Sequence, residues 1–169
     1  MSNRVFEGTS DGSGLRIGII AAKFNHEIVR ALLDGALDVL SESGVTASDV
    51  TVIWVPGALE LPLAAAVLAD SGSVDGIIGL GCVIQGETAH FDHVCRESIE
   101  GLSTLSFETG VPVAVGVLTV GTVEQAHVRA GLAPGSGGAK GEEDLHRGKE
   151  AARACIEMIT LLRAMEDIG

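Results

Sequence analysis

The hydrophobic residues of this chain form short uninterrupted runs that alternate with longer segments of helical periodicity. The runs have strand length and cover residues 15–21, 50–55, 75–83 and 112–119. Near-continuous apolar runs of this kind are typical of parallel strands buried on both faces. Strands that alternate with helices form right-handed βαβ units, so the pattern predicts one three-layer α/β domain with a parallel sheet.

Turn and capping residues set the predicted helix boundaries. Asn25 lies at an N-cap position, and Pro62 is compatible with the first turn of its helix. Thr122 and Gln125 have the spacing of a capping box. Helices are predicted at about 25–44, 61–71, 90–110, 122–131 and 144–165.

The chain shows no internal repeat and no second-domain linker, which predicts a single domain over residues 15–169. Residues 1–14 are rich in glycine and serine, so we expect a flexible or loosely docked lead-in. Residues 132–141 form the only glycine-rich interior loop.

Composition narrows the classes of partner. The net charge of −12 argues against nucleic acid and anionic membranes, because both need a cationic surface. The three cysteines are widely spaced within apolar patterns, which favours buried reduced thiols. Neither a signal peptide nor an apolar run of membrane-spanning length is evident. We therefore predict a soluble cytoplasmic protein.

Residues 81–93 carry the most informative polar pattern. The segment leaves the third strand, crosses a turn at Gly86 and enters the third helix, bringing Thr88, His90 and Asp92 to the helix start. Backbone N–H groups at a helix start attract phosphate. Histidine exchanges protons near neutral pH. This segment therefore predicts chemistry on a small phosphorylated substrate, with His90 as the candidate catalytic residue.

Other unusual polar stretches follow the remaining strands: residues 24–25, residues 56–60 and Thr119. Ligands of open parallel sheets bind outside the carboxyl ends of the strands. We therefore expect these stretches and the Gly86 turn to lie along one edge of the sheet.

Cofactor-binding motifs are weak. Gly79 and Gly81 resemble half of a dinucleotide fingerprint, but Ile84 occupies the place of the third glycine. The loop after the first strand lacks the Ser/Thr-Gly richness of a flavin-phosphate loop. His90 and His93 are three residues apart, yet no carboxylate or cysteine spacing supports a metal site. We predict neither a cofactor nor a metal.

Three side chains have two interpretations each. Phe24 is either a core residue or a stacking platform for a flat ligand. Glu60 either binds a sugar hydroxyl or is a solvated acid at a helix start. Arg129 is a solvated cation unless the sheet order brings it near the Gly86 turn.

Three motifs together resemble the lumazine synthase family. They are residues 55–62 (VPGALELP), 81–94 (GCVIQGETAHFDHV) and 116–131, and the resemblance extends over about residues 15–165. It implies a flavodoxin-like fold with a four-stranded parallel sheet, and pentamers with active sites between neighbouring subunits. The implied reaction condenses 5-amino-6-(D-ribitylamino)uracil with 3,4-dihydroxy-2-butanone 4-phosphate, without cofactor or metal.

The resemblance also implies roles for individual residues, with His90 as the proton donor. The residues expected to contact the substrates are Phe24, stacking on the pyrimidine; Ala58, Leu59 and Glu60, on the ribityl side; Cys82, Val83 and Ile84, along the ring edge; and Glu87, Thr88 and Arg129, at the phosphate.

The chain departs from the family pattern at three places. Val115 and Leu59 each replace a frequent phenylalanine, which makes the expected pocket less aromatic. The link after Gly131 is long, and it places either Arg147 or Lys140 at the position of the family's lysine. In the family a long link accompanies pentamers or decamers rather than large closed shells, so a pentamer is expected.

Two other functions are compatible with the fold: a non-catalytic relative that binds flavin or lumazine, and a scaffold protein with a vestigial pocket. Val115 and Leu59 would fit relaxed catalysis. The combined presence of Thr88, His90 and Arg129 favours the enzyme, because neither alternative needs all three.

Overall fold

Strands and helices alternate along residues 3–134 and 145–166, which this computed structural model describes. The elements are β1 (Ile17–Ala22), α1 (His26–Glu42), β2 (Val50–Val55), α2 (Leu61–Asp70), β3 (Gly76–Ile84), α3 (His90–Thr109), β4 (Val113–Val120), α4 (Val123–Arg129) and α5 (Arg147–Glu166). The predicted order is confirmed, and β2 has the predicted bounds. The predicted start of the last helix, Asp144, and the alternative lysine, Lys140, lie outside the described residues.

The four strands form one parallel sheet in the order β2-β1-β3-β4. Ile17 pairs with Val50 on one side and with Gly76 on the other, so β1 is an interior strand. Its six residues are all buried, as expected for a near-continuous apolar strand.

Helices cover both faces of this sheet. Leu32 of α1 and Ile156 of α5 belong to the core on one face, whereas Leu61 of α2 and Leu102 of α3 belong to the core on the other. This arrangement confirms the three-layer, flavodoxin-like α/β fold. No helix of the described part of the chain is long and apolar enough to cross a membrane.

Helices α1 and α5 pack closely because each contributes a glycine to their contact. A β-carbon at Gly148 would overlap the backbone of Leu32, and one at Gly35 would overlap the ring of His146. His146 is only 9% exposed. The first turn of α5 is therefore fixed against α1.

The N-terminal lead-in contacts the domain. The Gly12 N–H donates to the Ser43 carbonyl over 2.7 Å, and the Thr9 N–H donates to Thr160 Oγ1 over 2.8 Å. These bonds place residues 9–12 beside the end of α1 and along α5.

Two predicted caps have different outcomes. The capping box is confirmed, because Thr122 Oγ1 accepts from the Gln125 N–H and the Gln125 side chain accepts from the Thr122 N–H. Asn25 occupies the N-cap of α1 with φ 55° and ψ 46°, but its side chain makes no capping hydrogen bond. Its amide group is used elsewhere, at the end of β3.

Candidate active site

A cavity of about 330 Å³ opens at the carboxyl ends of β1 and β3, beside the starts of α2 and α3. Three of the predicted polar stretches converge there, as the parallel topology requires. The predicted site residues that line it are Phe24, Ala58, Leu59, Glu60, Cys82, Val83, Ile84, Thr88 and His90.

Phe24 presents its ring to this cavity and to solvent. Its side chain is 72% exposed, which excludes the interpretation of Phe24 as a core residue. Leu59, which also lines this cavity, is exposed as well. An exposed aromatic ring at the rim of an apolar cavity provides a flat surface on which a planar ligand can stack.

Asn25 fixes the loop that carries Phe24. Its Nδ2 donates a hydrogen bond to the Cys82 carbonyl over 2.8 Å, which joins the loop after β1 to the end of β3. The Phe24 N–H donates to the Pro56 carbonyl over 3.2 Å, which joins the same loop to the end of β2. Asparagine tolerates the left-handed conformation that this connection needs better than most residues do.

The ring-edge residues lie where β3 ends. Cys82 is buried, and burial raises the pKa of its thiol to about 11. The thiol is therefore protonated at neutral pH, so Cys82 lines the cavity rather than serving as a nucleophile. Val83 and Ile84 are partly exposed and continue the lining toward the Gly86 turn.

The Gly86 turn delivers Thr88 and His90 to the cavity, with His90 as the first residue of α3. Ala89 at the N-cap supplies no side-chain capping bond, so the first turn of this long helix presents its positive end toward the turn. The Glu87 side chain is exposed and is not part of the cavity lining.

Arg129 and Val115 belong to a second cavity, of about 660 Å³, beside the edge strand β4. It is also lined by Thr119 and Arg147, and it shares no lining residue with the first cavity. Within one chain the sheet order thus brings Arg129 to β4 and not to the Gly86 turn. Thr119 pairs with Val83 at the carboxyl ends of β3 and β4, so it lies on the predicted edge of the sheet, although it lines the second cavity rather than the first.

Arg147 and Glu150, in the first turn of α5, contact β4 and α4 beside this second cavity. Arg147 Nη2 donates to the Val115 carbonyl over 2.9 Å, and Arg147 Nη1 donates to Glu150 Oε2 over 3.1 Å. Glu150 Oε1 lies 4.0 Å from Arg129 Nη1. Glu150 was not predicted as a site residue, and its only local signal is the i, i+3 spacing from Arg147.

The family model for 6,7-dimethyl-8-ribityllumazine synthase matches residues 14–163 of the 169 residues. The chain belongs to the lumazine synthase family. The match spans every strand and nearly all of α5, so the resemblance seen in the three motifs is confirmed, and it places the chain among the transferases of riboflavin biosynthesis.

The lumazine synthase motifs divide between the two cavities. Residues 55–62 and 81–94 contribute to the first cavity, whereas residues 116–131 contribute to the second. The two positions where a frequent phenylalanine is replaced divide in the same way, with Leu59 in the first cavity and Val115 in the second. Among the described residues, no group of three or more His, Cys, Asp or Glu side chains is arranged to hold a metal ion.

Proposed function

We propose that this member of the lumazine synthase family condenses 5-amino-6-(D-ribitylamino)uracil with 3,4-dihydroxy-2-butanone 4-phosphate, giving 6,7-dimethyl-8-ribityllumazine, phosphate and water. One observation carries the proposal beyond the family match. A single cavity combines an exposed aromatic ring at Phe24, a hydroxyl at Thr88 beside a helix start, and an imidazole at His90. These groups suit a flat ring, a phosphate and a proton transfer, respectively.

In this proposal the pyrimidine stacks on Phe24, with backbone groups of residues 82–84 along its edge. The ribityl chain extends toward Ala58, Leu59 and Glu60. The Glu60 carboxylate lies beside Gly57, where it can accept hydrogen bonds from sugar hydroxyls. The phosphate of the second substrate binds the Thr88 hydroxyl and backbone N–H groups of the Gly86 turn, including that of Glu87.

The chemistry requires positioned reactants and proton transfers. The pyrimidine amine attacks the ketone, loss of water gives an imine, phosphate leaves, and a second condensation closes the ring. Holding two reactants face to face supplies most of the acceleration in such reactions. His90 transfers protons at these steps, because it lies at the N-terminus of α3 and lines the same cavity.

The position of Arg129 supports a site shared between two copies of the chain. Because the phosphate-binding turn and Arg129 line different cavities, we propose that the second cavity of one subunit faces the first cavity of its neighbour. Val115 would then approach the ring from the opposite side to Phe24. Exposed apolar side chains at Leu63 and Val67 of α2, and at Phe107 of α3, offer surface for contacts between subunits.

We propose that the assembly is a pentamer in the cytoplasm, as the long link before Arg147 and the unpaired cysteines favour. Light scattering of the purified protein should give a mass near that of five chains. A mass near that of one chain would contradict the shared site, and a much larger closed shell would contradict the pentamer.

Mixing the purified protein with both substrates tests the activity, with lumazine fluorescence and released phosphate as independent readouts. His90→Ala should slow turnover substantially but leave measurable activity, because the positioning of the substrates survives. Unchanged turnover in this variant would remove His90 from the mechanism. No product, together with retained binding of riboflavin, would contradict the proposal and favour a non-catalytic flavin-binding relative.

A further inference from the structure

We infer that His146 is a pH-sensitive N-cap, which fixes the first turn of α5 while its imidazole is neutral and releases that turn when the imidazole is protonated. This role goes beyond the proposed reaction, because it concerns how one corner of the domain is held and needs no substrate. Three features of His146 support it: its place at the start of the helix, its hydrogen bonds, and the segments that enclose its ring.

His146 directly precedes α5, so it occupies the N-cap position of that helix. Its Nδ1 accepts a hydrogen bond from the Lys149 N–H over 3.4 Å, and its carbonyl accepts one from the Glu150 N–H over 3.0 Å. The first N–H groups of a helix have no partner within the helix, and an N-cap side chain satisfies one of them. Because Nδ1 accepts this bond, the proton of the neutral ring lies on Nε2.

Protonation would reverse the chemistry of this cap. Both nitrogens of a charged imidazole are donors, so Nδ1 could no longer accept from the Lys149 N–H. The charged ring would also face the positive end of the α5 dipole, where a cation is unfavourable. An asparagine or serine cap keeps its acceptor oxygen at neutral and mildly acidic pH, so this response is specific to histidine.

The ring of His146 is enclosed by α1 and by the segment that follows α4. A β-carbon at Gly35 would overlap the ring, and one at Gly131 would lie only 2.9 Å from its Cδ2. His146 is therefore buried, which leaves little room for water to solvate a charge on its ring. A protonated ring gains water only if the first turn of α5 moves away from α1 and from Gly131.

The charges around the ring do not compensate for its burial. The segments packed against it carry Arg147, Lys149 and Glu150 on α5, Asp34 and Asp38 on either side of Gly35 on α1, and His127 and Arg129 in the last turn of α4. Burial opposes a charge on His146 most strongly and Lys149 adds to this, whereas the carboxylates of Asp38 and Glu150 favour the proton. The pKa of His146 is thus lowered from its ordinary 6.5.

The direction of this shift sets the direction of the response to pH. A released ring would return to a pKa of about 6.5, so protons bind the released turn in preference to the closed one. The contribution of the closed cap is complete above about pH 6.5 and is lost as the pH falls below it. Because one proton is involved, the equilibrium constant for release rises by at most about tenfold between pH 7.5 and 5.5.

Release of this turn would loosen contacts with three other elements. The turn packs on α1 through Gly148 and Leu32, and His146 itself packs on Gly131 after α4. Arg147, the first residue of α5, donates from Nη2 to the Val115 carbonyl on β4. None of these residues lines the first cavity, so mild acid should loosen this corner of the domain without opening that cavity.

Hydrogen–deuterium exchange of the assembled wild-type protein at pH 7.5, 6.5 and 5.5 tests this cap. Each exchange rate is divided by the intrinsic rate at the same pH, which gives the protection due to structure. The first-turn amides are those of Lys149 and Glu150, and the reference amides are those of Cys155 and Ile156 in the middle of α5. We expect first-turn protection to fall by up to about tenfold from pH 7.5 to 5.5, while the reference amides keep theirs.

Two asparagine variants make the comparison specific. His146→Asn keeps an N-cap acceptor that does not titrate, so its first-turn protection should be the same at pH 7.5 and 5.5. His93→Asn makes the same replacement at an exposed position of α3 and should respond to pH as wild type does.

Three results would each overturn the inference: constant first-turn protection in wild type, a parallel loss along the whole of α5, or an equal loss in His146→Asn. The wild-type comparison within α5 decides between local and global opening even if His146→Asn does not assemble. None of these measurements depends on lumazine formation, so the inference and the proposed function can fail separately.

Discussion

Asn25 provides a direct test of how the loop carrying Phe24 is held. Two features can be separated at this residue: its left-handed backbone and its hydrogen bond to the Cys82 carbonyl. Asn25→Gly removes only the hydrogen bond, because glycine adopts φ 55° without strain. Asn25→Ala removes the hydrogen bond and also places a β-carbon in the left-handed conformation.

The expected losses in the free energy of unfolding follow from the hydrogen bond and from the left-handed backbone. A partly buried hydrogen bond contributes about 1 kcal/mol to the free energy of unfolding. The left-handed conformation costs alanine a further ~1 kcal/mol or more. Asn25→Gly should therefore lose about 1 kcal/mol and Asn25→Ala about 2 kcal/mol.

Urea unfolding at one fixed protein concentration measures both losses, since assembly makes apparent stability depend on concentration. Trp54 is the only tryptophan, and the ring of His26 packs on it edge-on with centroids 5.0 Å apart, so its fluorescence reports on this end of β2. Each variant should also raise KM for the pyrimidine, because Phe24 precedes Asn25. If the two variants lost the same free energy of unfolding, the left-handed backbone would not cost alanine anything. If neither variant lost stability, the hydrogen bond to Cys82 would not hold the loop.

Two further predictions concern the first turn of α5. Gly148→Ala should lower the urea midpoint, because overpacking against the Leu32 backbone costs about 1–3 kcal/mol whereas helix propensity favours alanine by ~1 kcal/mol at most. Ala154→Gly, at an exposed position of α5, measures the helix-propensity effect alone and serves as the control. A raised urea midpoint for Gly148→Ala would show that α1 and α5 are not in close contact. Burial, with a smaller effect of the nearby Lys149 charge, lowers the pKa of His146 below its ordinary 6.5. The folded state then binds fewer protons than the unfolded state, so stability should fall as the pH drops below about 6.5, and His146→Gln should show a shallower fall in melting temperature between pH 7.5 and 5.5.

The sequence was most informative where the controlling interactions are local. The bounds of β2 follow from an apolar run closed by Pro56, and the capping box of α4 follows from two residues three positions apart. The resemblance to a known family supplied the fold name and the residue roles. The local sequence patterns and the family motifs together thus predicted the strands and helices and most of the residues that line the first cavity.

Contacts between distant residues could not be predicted in the same way. Asn25 bonds a carbonyl 57 positions away, and Arg147 bonds one 32 positions away. Both bonds depend on the strand order, which places β3 next to β1 and β4 at the edge. Periodicity does not specify that order, so neither the role of Asn25 nor the placing of Arg129 in a different cavity from the Gly86 turn was visible in the sequence.

The interior position of β1 affects the order in which the sheet is able to assemble during synthesis. Residues 17–22 leave the ribosome first among the strands, yet both of their pairing partners, β2 and β3, are made later. The most completely buried strand of the protein is consequently the one with the longest interval between its own synthesis and that of its last pairing partner. A nascent chain halted after β2 would expose one full edge of an apolar strand, which is the kind of segment that chaperones bind and that aggregates when they do not.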